Sequence, residues 1–307
     1  MSAAHDIPFL IGAYASTSGD LAWQEEYYDL LAQEPWIGGL EIPFFGDGLR
    51  EDPHWFAQQM KPVYAVNVLT PIPGAMKHIG DKSWGIASPD EDGRHAGLAF
   101  LRAAVETMKE MNDLTGRQFF SFLALHTAPQ EKGTREALQR SLEELAQWDL
   151  DGAKLTIEHC DAWTEEHAVE KGFLSLDDEL AAIEAVGAPN IFESLNWGRD
   201  AIEGRSTDLP LEHIQQTAAR GHLGGMILSG AQNQHDGQWG PWVDAHIGLH
   251  EHQPASVLTR DLGRAAFEAA LESAPKYIGG KISLSSGSNP ERIALLREIA
   301  ELANYLN

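Results

Sequence analysis

The chain has one cysteine, Cys160, so no internal disulfide can brace it. It also lacks an apolar run long enough to span a bilayer, and its start, Met1 to Phe9, has neither the basic residues nor the apolar stretch of a secretory signal. A soluble, cytoplasmic protein is the expectation. Positive charge is scarce: 22 Lys and Arg stand against 46 Asp and Glu, a formal net charge of -24 over 307 residues. Such a surface repels phosphate backbones and anionic lipid, so neither a nucleic acid nor a membrane is expected as a partner. Acidic, exposed helix faces that keep the protein dissolved account for this charge without a special role. No Gly/Ser or Pro-rich linker divides the chain, and no Gly-rich phosphate turn follows its first apolar run. The missing linker argues for one domain over residues 1–307, and the missing turn argues against an open nucleotide-binding sheet.

What is present is alternation. Apolar, β-rich runs at Ile7 to Tyr14, Gly39 to Phe45, Val63 to Leu69, Phe119 to His126, Ala153 to Glu158, Asn190 to Leu195, His222 to Leu228 and Tyr277 to Leu284 are each followed by a helical pattern, that of the sixth at Leu211 to Ala219. Continuous apolar runs suit strands buried on both faces, and the intervening helices imply parallel crossovers. Eight such units predict an α/β fold, a single closed (β/α)8 barrel. Ser88-Pro89-Asp90 and Ser288-Asn289-Pro290 are helix-start signals for the third and eighth helices. The stretches Thr70 to Asp92 and Ser229 to Thr259 are long and carry Gly, Pro, Trp and His, as loops that wall a site do.

In such a barrel the residues at the strand C-termini converge. They read Glu41, Asn67, His126, Glu158 with His159 and Asp161, Glu193 with Asn196 and Arg199, Ser229 with Gln232, and Lys281 with Ser283. Glu158 ends an apolar strand, where a carboxylate needs a cation, a metal or a proton to offset its desolvation. Trp84, Trp163, Trp197, Trp239 and Trp242 fall in the same loops. Indole faces pack on the C–H faces of sugars while amides and carboxylates bond their hydroxyls, so a small carbohydrate-like substrate is expected. His235, His246, His250 and His252 could gather on a metal, although a solvated loop explains them as well.

Gly39-Leu40-Glu41-Ile42, Ala87-Ser88-Pro89-Asp90 with Arg94, Leu155-Thr156-Ile157-Glu158-His159 and Lys171-Gly172-Phe173-Leu174 resemble the xylose isomerase-like barrel superfamily over nearly the whole chain. That superfamily groups sugar isomerases and epimerases with endonuclease IV-like enzymes. Asn196-Trp197-Gly198-Arg199 and Ala201-Ile202-Glu203-Gly204-Arg205 are similar to an uncharacterised branch that carries the xylose isomerase label. The resemblance implies a divalent metal held by Glu on the fifth strand, Asp on the sixth, His on the seventh and Glu on the eighth. Glu158 is the one clear match. Asn196 and Arg199, Ser229 and Gln232, and Lys281 occupy the other places, and they replace anionic ligands with neutral groups and fixed positive charge. A divalent metal is therefore not expected there.

The resulting expectation is a sugar isomerase or epimerase that transfers a proton next to a carbonyl. Glu158 is its base, Lys281 and Arg199 neutralise that carboxylate and stabilise the oxyanion, and His126, Asn196, Glu41, Trp197, Trp163 and His246 bind substrate. A Schiff-base aldolase or dehydratase using Lys281 and a non-catalytic carbohydrate-binding barrel are the alternatives. The oligomeric state stays open.

Overall fold

Short apolar runs form β1 (Phe9–Ile11), β2 (Gly39–Pro43), β3 (Val68–Thr70), β4 (Phe122–Leu125), β5 (Lys154–Glu158), β6 (Ile191–Asn196), β7 (Leu223–Leu228) and β8 (Tyr277–Gly280). The structure is a computed structural model and describes residues 7–305 apart from 238 and 285. The strands close in sequence order into an eight-stranded parallel barrel. Helices alternate with them: α1 (Leu21–Leu31), α2 (Pro53–Gln59), α3 (Ile72–Ala75), α4 (Glu91–Thr115), α5 (Arg135–Leu145), α6 (Leu176–Val186), α7 (Trp197–Gly204), α8 (Leu209–Ala219), α9 (Arg260–Glu272) and α10 (Asn289–Leu302). This is the closed (β/α)8 barrel that the alternation of apolar runs and helices implies.

The chain divides into two compact units, Met1–Glu41 with Trp55–Asn67 and Leu195–Asn307, and Ile42–His54 with Val68–Ser194. In the first, the ring of Phe9 meets Trp36, Phe267 and Tyr305 at centroid distances of 5.6, 6.0 and 5.3 Å. In the second, Trp84, Ile72, Ala75, Ala128, Phe173 and Cys160 make one buried cluster. Cys160 is thus a small core residue.

Local chemistry sets the helix boundaries. Asp20, Asp90, Thr134, Ser175 and Thr259 accept a backbone N–H from the first turns of α1, α4, α5, α6 and α9, and Gly116 and Gly187 close α4 and α6 in the left-handed conformation. Asp90, rather than Ser88, caps α4, while Ser88 Oγ accepts the N–H of Asp90 itself.

Three readings of the sequence change. The first run is strand only to Ile11, because a 3₁₀ turn over Ala13–Ser16 follows Gly12 and carries Tyr14 out of the sheet. The third run becomes strand only at Val68, so Asn67 precedes β3 and is not at its C-terminal end. Its side chain accepts the N–H of Leu40 and donates to the carbonyl of Tyr64, joining β2 to the turn before β3. Thr70 takes the position expected of Asn67. Finally, the stretch after the sixth strand is helix α7, and Asn196 caps it through the N–H of Gly198.

Candidate functional site

In the unit that holds β4 and β5, strand register sets the geometry. Leu125 stands opposite Ile157, so the next residues along, His126 and Glu158, come side by side. His126 Nε2 lies 2.8 Å from Glu158 Oε2, and Thr70 Oγ1 donates to the same oxygen at 3.2 Å. Both Glu158 and His126 are buried. An imidazole and a hydroxyl thus meet the carboxylate that the sequence paired with Lys281 and Arg199. The arrangement can take up a proton at Glu158 and share it with His126.

The neighbours of Glu158 serve as its frame. His159 points the other way, with Nδ1 2.5 Å from Glu179 Oε2 on α6, and Thr127 donates to Glu179 Oε1 at 2.6 Å. Asp161 accepts the backbone N–H groups of Glu170, Lys171 and Gly172, which ties down the loop after β5. Both residues brace that loop. Glu193 is in register with Ile157, on the side of the sheet opposite Glu158, and does not join its strand-end group. Trp163 remains 40% exposed, with the Lys82 ammonium 5.7 Å from its ring centroid. Trp84 is buried and stacks on His78 at 4.2 Å.

In the other unit, Lys281 follows β8 and is fully buried. Its Nζ donates to Glu41 Oε1 at 2.8 Å and to the hydroxyl of Tyr14, which itself donates to Glu41 Oε1 at 3.1 Å. Gly12 makes the space. A Cβ there would stand 2.6 Å from Lys281 Cγ and 2.8 Å from Cδ, so the lysine stem crosses a position that only glycine leaves open. Glu41 Oε2 is buried and has no hydrogen-bond partner among the described residues. This carboxylate oxygen suits a donor from a ligand.

A second group joins the ends of β6 and β7. Arg199, almost fully buried, meets Asp244 Oδ2 at 3.1 Å through Nε. Asp244 Oδ1 lies 3.1 Å from His246 Nδ1, which is also 3.3 Å from Ser229 Oγ. Ser229 Oγ donates to Asn196 Oδ1 at 2.7 Å, while the buried amide nitrogen of Asn196 has no hydrogen-bond partner among the described residues. His246 holds φ +50°, a strained conformation for a residue with a side chain and common at functional positions. Trp197 is 1% exposed in the first turn of α7, and Trp239 and Trp242 are half-buried. Gln232 is spent on its own loop, donating to the carbonyls of Gln234 and Trp239.

Other histidines of this loop have separate partners. His250 Nδ1 lies 2.9 Å from the Ser256 carbonyl, His252 pairs with Glu298, and His235 is exposed. The ligand set implied by the resemblance also fits a hard divalent cation poorly. Asn196 Oδ1 already accepts two donors, and the eighth-strand position holds an ammonium bound to Glu41.

Tyr14, Thr70 and Asp244 escaped the sequence reading. Tyr14 looked like the end of a strand, and Asp244 lay in a long loop without periodicity. Gly12 was the available signal for Tyr14, since a small residue stands where a buried strand normally carries a bulky one.

A family profile described as a domain of unknown function (DUF4862) matches residues 10–295. The uncharacterised protein STM3670 of Salmonella typhimurium strain LT2 is 32% identical over 304 residues, covering 94% of each chain. Among solved structures, L-ribulose 3-epimerase superposes with a TM-score of 0.56 at 18% identity, covering 97% of this chain and 91% of its own. A xylose isomerase domain protein from Alicyclobacillus acidocaldarius does so at 0.55 and 15% identity, covering 97% and 99%. At these identities the solved structures bear on the fold alone.

Proposed function

This chain belongs to the DUF4862 family, and we propose that it is a sugar or sugar-derivative isomerase or epimerase that moves a proton at the carbon next to a carbonyl. The observation that carries the reading is the buried carboxylate–imidazole pair of Glu158 and His126, 2.8 Å apart at strand ends, where barrels of this kind do their chemistry. In this reading Glu158 takes the proton from the carbon next to the carbonyl; returning it to the former carbonyl carbon, with the hydroxyl proton passing to the other oxygen, isomerises the sugar, and return to the opposite face of the same carbon epimerises it. His126 and Thr70 orient the carboxylate, and His126 shares the proton while Glu158 carries it.

In the unit that holds β7 and β8, Lys281 and Arg199 are cations suited to an oxygen on which negative charge develops. Each cation is held by its own carboxylate, Glu41 or Asp244, which fixes its direction before substrate arrives. An ammonium buried against a carboxylate and a phenol is poorly disposed to attack a carbonyl, so the reading favours charge stabilisation over a Schiff base. Glu41, Asn196 and His246 bind hydroxyls, and Trp163 offers an open indole face. Trp197, 1% exposed, presents no open indole face to a ligand. The name of the similar barrel, L-ribulose 3-epimerase, supports a substrate of this class.

The test is solvent exchange. Aldoses and ketoses incubated with the protein in deuterium oxide are followed by NMR for deuterium at the carbon beside the carbonyl. Glu158→Gln is expected to slow uptake by about 10²–10⁴-fold. Unchanged uptake in that variant removes Glu158 from the chemistry, and no uptake by any sugar with the wild-type protein sinks the isomerase reading.

A further inference from the structure

The residue after each member of the Glu158 and His126 pair faces the other way. The pairing of β4 with β5 runs to Leu125 and Ile157, so His126 and Glu158 lie one residue past it, and Thr127 and His159 two. Side chains alternate along an extended chain. His126 and Glu158 thus meet on one face, while Thr127 and His159 come side by side on the other.

A single carboxylate meets both of these. Glu179, in the first turn of α6, accepts the Thr127 hydroxyl on Oε1 at 2.6 Å, and its Oε2 lies 2.5 Å from His159 Nδ1. One oxygen serves the end of β4 and the other the end of β5. The two partners are themselves directed. Thr127 Oγ1 accepts the Leu174 N–H at 3.3 Å, which turns its own proton to Glu179, and the backbone N–H of His159 donates to the Ser194 carbonyl on β6 at 2.9 Å.

Glu179 and His159 are fully buried, and Thr127 is buried beside them. Taking a carboxylate out of water is costly, and apolar side chains of the same volume would join α6 to the sheet at least as firmly. Apolar contact, however, has no preferred direction, so it could not set distance and angle at two strand ends at once. Hydrogen bonds to a carboxylate do both. The start of α6 is also the end of a helix that favours a negative group. Proton exchange between His126 and Glu158 needs heavy atoms about 2.6–3.2 Å apart, and these two stand at 2.8 Å.

We propose that Glu179 is the positioning residue of this pair: by holding Thr127 and His159 it sets the spacing at which His126 and Glu158 share a proton. That the spacing matters for turnover rests on the isomerase reading above; that Glu179 sets it does not.

The experiment uses the full chain with ¹⁵N-labelled histidine, the imidazole signals of His126 being identified by their loss in His126→Asn. Glu179→Gln and Thr127→Val each remove part of the clamp, and Thr127→Ser keeps its hydroxyl. Urea unfolding follows stability separately, and Thr127→Val decides alone if Glu179→Gln does not fold. In both clamp variants the His126 signals are expected to shift, and kcat for deuterium uptake to fall about 10–100-fold with KM within about twofold, since Glu179 touches no substrate. Thr127→Ser is expected to restore the wild-type signals, and kcat to within about threefold. Unmoved His126 signals in a folded clamp variant overturn the proposal, and so does an unchanged kcat where the wild-type protein takes up deuterium. Shifted signals with no uptake by the wild-type protein overturn the isomerase reading and leave the clamp standing.

Discussion

Gly12 and Lys281 lie 269 residues apart, yet each explains the other: a lysine stem passes where a Cβ would sit, and its ammonium ends on Glu41 and Tyr14. Gly12→Ala is expected to cost about 1–3 kcal/mol by overpacking a stem that cannot swing away, and to displace the ammonium. Urea denaturation checks the cost. Gly19→Ala, with nothing within 4 Å of the new methyl, is the control and should stay within about 0.5 kcal/mol of wild type. At this scale the sequence was partly legible. Glu158 stood out because a carboxylate ending an apolar strand is expensive in itself, and Glu41, His126 and Lys281 followed from their strand ends. Their pairing did not follow. Which cation meets which carboxylate depends on side-chain reach across strands far apart in sequence, so the expected neutralisation of Glu158 by Lys281 gave way to separate partners for each.

Among the elements, helix starts were the most readable because the capping chemistry is local. Ser288 starts α10 as its Ser-Asn-Pro signal implies, and the bond from its hydroxyl to Glu291 closes that end. Ser288→Ala is expected to cost about 1 kcal/mol and to speed hydrogen exchange in the first turn of α10; unchanged exchange would deny the cap its role. Strand limits were less readable. An apolar run marks burial rather than backbone geometry, so Ile7–Tyr14 and Val63–Leu69 look like strands over residues that turn. The parity of Glu193 was lost for a related reason: a buried strand is apolar on both faces, and no alternation marks which side looks into the barrel. Gly225 in β7 shows what pattern alone could not convey, since the ring of Tyr277 lies 2.2 Å from where its Cβ would be.

For the whole molecule, tight burial around aromatic residues gives the fold an alkaline limit. Burial pushes the Tyr27 phenol up to about 12 from an ordinary 10, and burial also raises Tyr64 and Tyr305. The native state keeps protons that the unfolded chain releases, so stability holds below about pH 10 and falls as pH rises toward 12. For Tyr27 alone the loss is on the order of 2–3 kcal/mol. Unfolding midpoints measured across that range, with Tyr27→Phe expected to flatten the decline, provide the check. By itself the sequence determined the architecture and which charged groups stand at strand ends, because eight repeats of apolar run and helix leave few ways to bury both faces of each strand, and a charged group at a strand end must be answered. Only the tertiary structure decided who answers. Glu158 meets His126 and Thr70, Lys281 meets Glu41 and Tyr14, and Arg199 meets Asp244, since these contacts depend on register, on the turn after Gly12 and on loops whose course no periodicity encodes.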